Sequence, residues 1–290
     1  MTDQPIPFRK MNGLGNDFVV LDARRRAIAV DAKRAQILAD RQTGIGCDQV
    51  ILLEPSSRAA VFMRILNADG SEVAACGNAT RCVARILAEE GGLRMVRIET
   101  KAGLLEARIG EGGVVTVDMG RPRLRWDEIP LAEPFHDTRR IELQVGPIDA
   151  PILHSPSVVS MGNPHCIFWV EDVSGYDLAR IGPMLEHHPM FPERANISLA
   201  HVVSRGEIRL RVWERGAGLT TACGTAACAV AVAAARLDLT DRRVTVVLPG
   251  GPLDIEWTLE DRVLMTGATT MEFEGLLDPE TFQRLAIHGA

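Results

Sequence analysis

Short runs of β-branched and aliphatic residues, bounded by glycine, proline or acidic turns, punctuate the chain from end to end. In the first half, DFVVLD (17–22), AAVFMRILN (59–67), MVRIET (95–100), LEARI (105–109) and GVVTVDM (113–119) read as strands. In the second half, HCIFWV (165–170), EIRLRVWE (207–214), VTVVL (244–248) and LDIEWTL (253–259) do the same. Two segments carry helical patterns instead. NATRCVARILAEE (78–90) places Cys82, Val83, Ile86 and Leu87 on one face and stops at Gly91-Gly92. TAACAVAVAAARL (225–237) is apolar all round, the pattern of a helix sheathed by other structure. Further helices are expected at 31–40 and 278–286.

The two helical segments open alike, with ACGNA at 75–79 and ACGTA at 222–226, so Cys76 and Cys223 stand 147 positions apart. The same shift lays Asn16 on Asn163, each following a glycine and leading into an apolar run. It also lays Gln49 on Asn196, Asn67 on Glu214, Gly103 on Gly250 and Gly120 on Gly267. Two copies of one fold would keep glycines simply to turn the chain. No turn requires amides and cysteines at matched places. The pattern predicts an α+β protein of two pseudo-symmetric domains from an internal duplication, each a curved β-sheet or barrel wrapped around a central helix. The first domain is expected over residues 1–122, completed by 270–290, and the second over 123–269.

Composition narrows the function classes. With 290 residues the chain can form one large domain or two, and 46% hydrophobic with 24% charged residues is ordinary for a globular protein. The net charge of −6 and the lack of a dense basic block speak against a nucleic-acid partner; the longest basic run, Arg24–Arg26, reads as a solvated turn. The opening MTDQPIPFRK has no apolar core for a secretory signal. The apolar stretch at 226–235 falls short of the ~20 residues a membrane helix needs. A cytoplasmic protein with no membrane partner is expected, its six cysteines kept as thiols.

A cysteine at a helix start can be a core filler, a metal ligand, or an activated nucleophile or base. A free thiol titrates near ~8.5, and a helix N-terminus lowers that value through its unpaired N–H groups and dipole. The N–H groups of Gly77 and Asn78, and of Gly224 and Thr225, suit a bound carboxylate. If both domains face one cleft, two thiols flank one substrate carbon. That chemistry suits racemisation or epimerisation: one thiolate removes the α-proton and the opposite thiol returns one. Oriented N–H donors offset part of the barrier, each worth roughly 2.7–4 kcal/mol in comparable oxyanion sites. The rival readings fit less well. Neither the 76/82 nor the 223/228 cysteine spacing matches a zinc pattern, so no metal is expected. No C-x-x-C redox motif occurs. Lys10, Lys33 and Lys101, the only lysines, lack the context of a pyridoxal Schiff base, so no cofactor is expected. Cys47, Cys82, Cys166 and Cys228 read as buried small hydrophobes, and His187-His188 as a loop pair.

At these residues the chain resembles the diaminopimelate epimerases. KMNGLGNDFVVLD (10–22), RQTGIGCDQVILLE (41–54), NADGSEVAACGNATRC (67–82), MGNPHCIFWV (161–170) and ERGAGLTTACGTAAC (214–228) look like that family's successive signature blocks, in its order. The resemblance implies a cofactor-independent, two-domain isomerase that interconverts L,L- and meso-diaminopimelate, a small-molecule substrate on the way to lysine and peptidoglycan. It also implies a homodimer. Carried over position by position, Cys76 and Cys223 match the catalytic pair. Asn16, Gln49, Asn67, Gly77, Asn78, Asn163, Asn196, Glu214, Arg215, Gly224 and Thr225 match substrate-binding positions. His165 and Glu214 match positions that tune the thiols. His165 also reads as a core histidine bonded to backbone, and each amide, taken singly, as a turn or cap residue. Ala79 and Ala226 stand where the family often has glycine, which predicts slightly stiffer helix starts. Two alternatives stay open: a cofactor-independent racemase of another amino acid on the same fold, and a non-catalytic amino-acid-binding protein. A PhzF-like isomerase is expected to lack the cysteine pair.

Overall fold

A computed structural model describes residues 4–289. Two compact units make up the chain, Met1–Val117 with Gly267–Ala290, and Asp118–Thr266. In chain order the elements are β1 (Ile6–Gly13), β2 (Asn16–Asp22), α1 (Ala32–Ala39), β3 (Gln49–Glu54), β4 (Val61–Asn67), β5 (Glu72–Val73), α2 (Gly77–Gly91), β6 (Met95–Thr100), β7 (Gly103–Ile109) and β8 (Val115–Asp118). Then follow β9 (Gln144–Val145), β10 (Leu153–His154), β11 (Ser157–Ser160), β12 (Pro164–Trp169), α3 (Leu178–Glu186), β13 (Asn196–Ser204), β14 (Glu207–Glu214), β15 (Gly218–Thr220), α4 (Gly224–Arg236), β16 (Arg243–Leu248), β17 (Gly251–Trp257) and β18 (Val263–Gly267). The last strands are β19 (Thr270–Leu277) and β20 (Arg284–Gly289).

In the first unit, β1 pairs antiparallel with β19 and β2, β2 runs parallel to β3, and β3 is antiparallel to β4. Strand β4 then runs parallel to β6, which is antiparallel to β7. The second unit repeats the scheme: β11–β12 antiparallel, β12–β13 parallel, β13–β14 antiparallel, β14–β16 parallel and β16–β17 antiparallel. The duplication is therefore written in strand order and strand direction as well as in residues. Gln49 and Asn196 open corresponding strands, and Asn67 and Glu214 close the next ones. Past the helices the correspondence slips by one residue. Gly103, with φ +125°, opens β7, and its structural counterpart is Gly251, with φ +136°, which opens β17. The Gly103–Gly250 match expected from an ungapped shift is corrected accordingly: only glycine enters a strand cheaply at such a φ, and Gly250 has no such need.

Each unit is built around its long helix. Cys82, Val83, Ile86 and Leu87 of α2 are all buried, and Gly92 ends the helix in the left-handed conformation at φ 63°. Helix α4 is buried from Ala226 to Ala234, so its small side chains let strands approach on every side. Helix α1 lies where the 31–40 pattern places it, capped by Asp31, whose carboxylate accepts from Arg34 N. The helix expected at 278–286 does not form. Asp278 Oδ1 accepts from the backbone of Glu280 and Thr281 and from the Thr281 hydroxyl, closing a tight turn. Residues Arg284–Gly289 then pair antiparallel with β19, and that open strand edge outweighs helical propensity.

Candidate active site

In the first unit a two-residue turn, Leu14-Gly15 with φ of 65° and 84°, reverses the chain so that Asn16 starts β2 opposite Gly13. The Asn16 amide lies over the start of α2. Its Oδ1 is 3.8 Å from Cys76 Sγ and accepts from Asn78 Nδ2 at 3.4 Å. Cys76 is the N-cap of α2 in extended conformation, and its half-buried sulfur accepts from Ala79 N at 3.5 Å. Gly77 and Asn78 open the helix, where no preceding carbonyl serves their N–H groups. Gln49 and Asn67 sit directly opposite across β3 and β4, with Gln49 Nε2 donating to Asn67 Oδ1 at 3.0 Å. Gln49 Oε1 is buried with no hydrogen-bond partner among the described residues. An orphaned buried acceptor of this kind is what an ammonium or amide donor of a ligand would satisfy.

In the second unit Cys223 is the N-cap of α4, again extended at φ −131°, and is 4% exposed. Its sulfur lies 3.5 Å from Thr225 Oγ1, which receives Asn163 Nδ2 at 3.4 Å. Asn163 Oδ1 lies 3.0 Å from His165 Nε2. With the amide nitrogen on Thr225, that oxygen can only accept, so His165 carries its proton on Nε2. His165 Nδ1 is left buried with no partner among the described residues, so the ring is not bonded to backbone as a plain core histidine would be. Asn196 Nδ2 donates to Pro164 O, and its Oδ1 receives Arg215 N at 3.0 Å, which pins the start of the Arg215 turn. Arg215 is exposed, its guanidinium on Glu193 O. Glu214 Oε1 accepts a short bond from Thr220 Oγ1.

Electrostatics divides the cysteines. Burial pushes the thiols of Cys47 and Cys82 up to about 12, as fits packing residues. The Cys223 thiol is also driven well above its ordinary value, first by burial and then by the Glu214 charge, with the Thr225 hydroxyl and the Ala226 N–H pulling the other way. The expectation that a helix start lowers a thiol's pKa therefore fails for Cys223: desolvation outweighs the helix N–H groups. Burial, with Arg215 second, drops His165 to about 3, so the imidazole is neutral where its Nε2 meets Asn163, whose amide nitrogen in turn reaches Thr225.

The sequence pointed to the amides around each cysteine but not to what holds them. Asp48 Oδ2 accepts from Asn16 Nδ2 at 2.8 Å and from Asp17 N, while Arg41 bridges Asp17 and Asp48. The buried Lys10 Nζ reaches Asp17 at 2.5 Å and also Gly46 O. In the second unit, buried Glu186 takes Trp213 Nε1 at 2.7 Å and Gly216 N at 3.0 Å, fixing both sides of the Glu214-Arg215 corner. A hint was available in the first case: Asp48 precedes Gln49 inside the GIGCDQV block. Glu186 lies too far along the chain for spacing to find.

The model of the family described as diaminopimelate epimerase matches residues 8–125 and 157–272. The chain is 58% identical over 285 residues to a diaminopimelate epimerase of Afipia carboxidovorans, covering 96% of this chain and 97% of that one. It is 57% identical over 283 residues to one of Nitrobacter hamburgensis, with 96% and 97% covered. Among solved structures, a hydroxyproline epimerase from Agrobacterium vitis with bound trans-4-hydroxy-L-proline shares the fold at a TM-score of 0.65 and 16% identity, covering 96% of this chain and 94% of that one. A Bacillus anthracis phenazine biosynthesis protein of the PhzF family does so at 0.65 and 15%, covering 94% and 99%. These two likenesses establish the fold, whereas the family follows from the sequence relatives. The chain belongs to the diaminopimelate epimerase family and is an isomerase of the epimerase class.

Proposed function

We propose that this chain interconverts L,L- and meso-diaminopimelate without a cofactor, by a two-base mechanism in which Cys76 and Cys223 serve as thiol and thiolate. One sulfur removes the α-proton and the other returns a proton to the opposite face of the same carbon, and the roles exchange with direction. The observation that carries this reading is the pair of N-cap cysteines at the same element of both repeats, Cys76 beside the Asn16 amide and Cys223 linked to that of Asn163 through Thr225, in a chain 58% identical to a named diaminopimelate epimerase.

The other polar groups take complementary parts. The N–H groups of Gly77 and Asn78, with those of Gly224 and Thr225, hold the carboxylate at the reacting carbon. Gln49, Asn67, Asn196 and Arg215 engage the second amino-acid head group, with Arg215 on its carboxylate. Glu214 pairs with a substrate ammonium, and that pairing offsets the charge that otherwise holds the Cys223 proton in place. Cys223 thereby becomes the base once substrate is bound. The enzyme works as a cytoplasmic homodimer in lysine and peptidoglycan precursor biosynthesis.

Incubation of the purified protein with L,L-diaminopimelate in D2O, with no added cofactor, tests this directly. Deuterium should enter one α-carbon as the meso isomer forms, while L-proline and trans-4-hydroxy-L-proline stay unlabelled. A folded sample that labels a proline substrate and leaves diaminopimelate untouched would sink the assignment in favour of another racemase. Cys76→Ala and Cys223→Ala should each abolish epimerisation, and full activity in either refutes the two-base scheme.

A further inference from the structure

Behind Asn16 lies a cluster that no catalytic role above uses. Asp48 Oδ2 receives Asn16 Nδ2 at 2.8 Å and Asp17 N at 3.1 Å, and Asp48 Oδ1 receives Arg41 at 2.9 Å. Asp48 N in turn donates to Asp17 Oδ1 at 2.9 Å, so the two carboxylates and the two strand starts interlock. Asp17 is 9% exposed; burial works against its charge, but Arg41 and Lys10 hold its carboxyl well below the usual range.

The chemistry of this contact fixes an orientation. A carboxylate can only accept, so the Asn16 face turned to Asp48 must be its NH2. The carbonyl of the same planar amide is then forced toward α2, where it meets Cys76 Sγ at 3.8 Å and the Asn78 NH2. A carbonyl oxygen facing sulfur accepts from S–H and opposes a thiolate, whereas the Ala79 N–H on the same sulfur favours one. We propose that Asp48 is a positioning residue: by locking the Asn16 amide it keeps Cys76 as the thiol, ready to donate its proton to the reacting carbon. This rests on the catalytic reading of Cys76 and sharpens it, giving Cys76 the acid's part in the resting protein.

The test reads the sulfur itself and needs no turnover. In a Cys223→Ser background, the pH dependence of Cys76 alkylation by iodoacetamide is followed by peptide mass spectrometry; Cys47, Cys82, Cys166 and Cys228 are at most 1% exposed. Among the described residues, the charged groups of the neighbouring elements include Arg81 and Arg85 of α2 with Glu272 of β19, which act on Cys82, Glu72 of β5 paired to Lys101, and Lys10, Asp17 and Arg41 around Asp48. All of them stay in place in two variants, Asp48→Asn and Asp48→Ala. Both remove the same negative charge, but the asparagine carbonyl still accepts from Asn16, and Arg41 keeps Asp17. The Asp48→Ala profile should lie about one pH unit below that of Asp48→Asn, as the freed Asn16 turns its NH2 to the sulfur. Coincident profiles, or a shift to higher pH, overturn the proposal.

Should Asp48→Ala fail to fold, the wild-type protein answers by NMR. Nuclear Overhauser contacts from the Asn16 Nδ2 protons to the Asp17 amide are expected, and contacts to the Cys76 β-protons would refute the assigned orientation. The two readings also fail separately. Epimerisation that survives Cys76→Ala removes the catalytic role, yet leaves the difference between the two alkylation profiles standing.

Discussion

His165 is the side chain whose chemistry most depends on where it is put. It is fully buried, with one ring nitrogen on Asn163 and the other unpartnered among the described residues, and burial drops its pKa to about 3. An unfolded histidine titrates near ~6.5, so between that value and about 3 the unfolded chain binds the extra proton. Stability attributable to His165 is complete above pH ~6.5 and is lost as pH falls toward the folded value. One proton of linkage is worth up to about 1.4 kcal/mol per pH unit, so urea unfolding at pH 6.5 and 5 should differ by about 2 kcal/mol from this residue. His165→Gln should remove most of that difference. An unchanged slope would mean that the ring takes up its proton in the folded protein as readily as in the unfolded one. His165 was legible in the sequence as a candidate, but its neutrality was not, because desolvation is set by residues distant in the chain.

At the scale of elements, the strands and the two long helices were legible because hydrophobic period and small-residue content report burial directly. The failure at 278–286 is instructive. A short stretch with weak periodicity takes whichever state its neighbour satisfies, and β19 offered unpaired backbone groups. Helix α3 illustrates a constraint invisible to pattern. Gly182 packs against the indole of Trp213, and a methyl group there would come within 2.4 Å of the ring. Trp213 cannot yield without breaking its bond to buried Glu186, the same side chain that holds Gly216. Gly182→Ala should therefore destabilise by about 1–3 kcal/mol and loosen the Glu214-Arg215 corner. Thermal unfolding measures the first effect, and KM for the substrate, raised more than kcat is lowered, measures the second. Wild-type stability in the variant would show that α3 slides freely on β14.

On the scale of the whole molecule, duplication gave each unit a helix enclosed by its own sheet. Helix α4 is apolar from Ala226 to Ala234, with no side chain larger than valine, and α2 is buried through most of its length, whereas α1 and α3 keep exposed faces. Amide hydrogen exchange should accordingly be slowest in α2 and α4, approaching the rate set by global unfolding, and faster in α1 and α3. Equal protection in all four helices would contradict the idea that the cysteine-bearing helices are the stable posts of their units.

The sequence by itself determined the repeat, the α+β pattern, the two helix-start cysteines and the amides at matched positions. These are legible because period, spacing and residue type are local or simply translated along the chain. Only the tertiary structure decided which way each amide faces, which groups hold it, and how each thiol is charged. Asn16 is read in the sequence as an amide beside a turn; Asp48, brought to it by the parallel pairing of β2 and β3, makes it a carbonyl aimed at sulfur. Cys223 is read as an acidified thiol, and burial beside Glu214 reverses that. Hydrogen-bond direction and desolvation are properties of the full surroundings, and the surroundings exist only once the chain has folded.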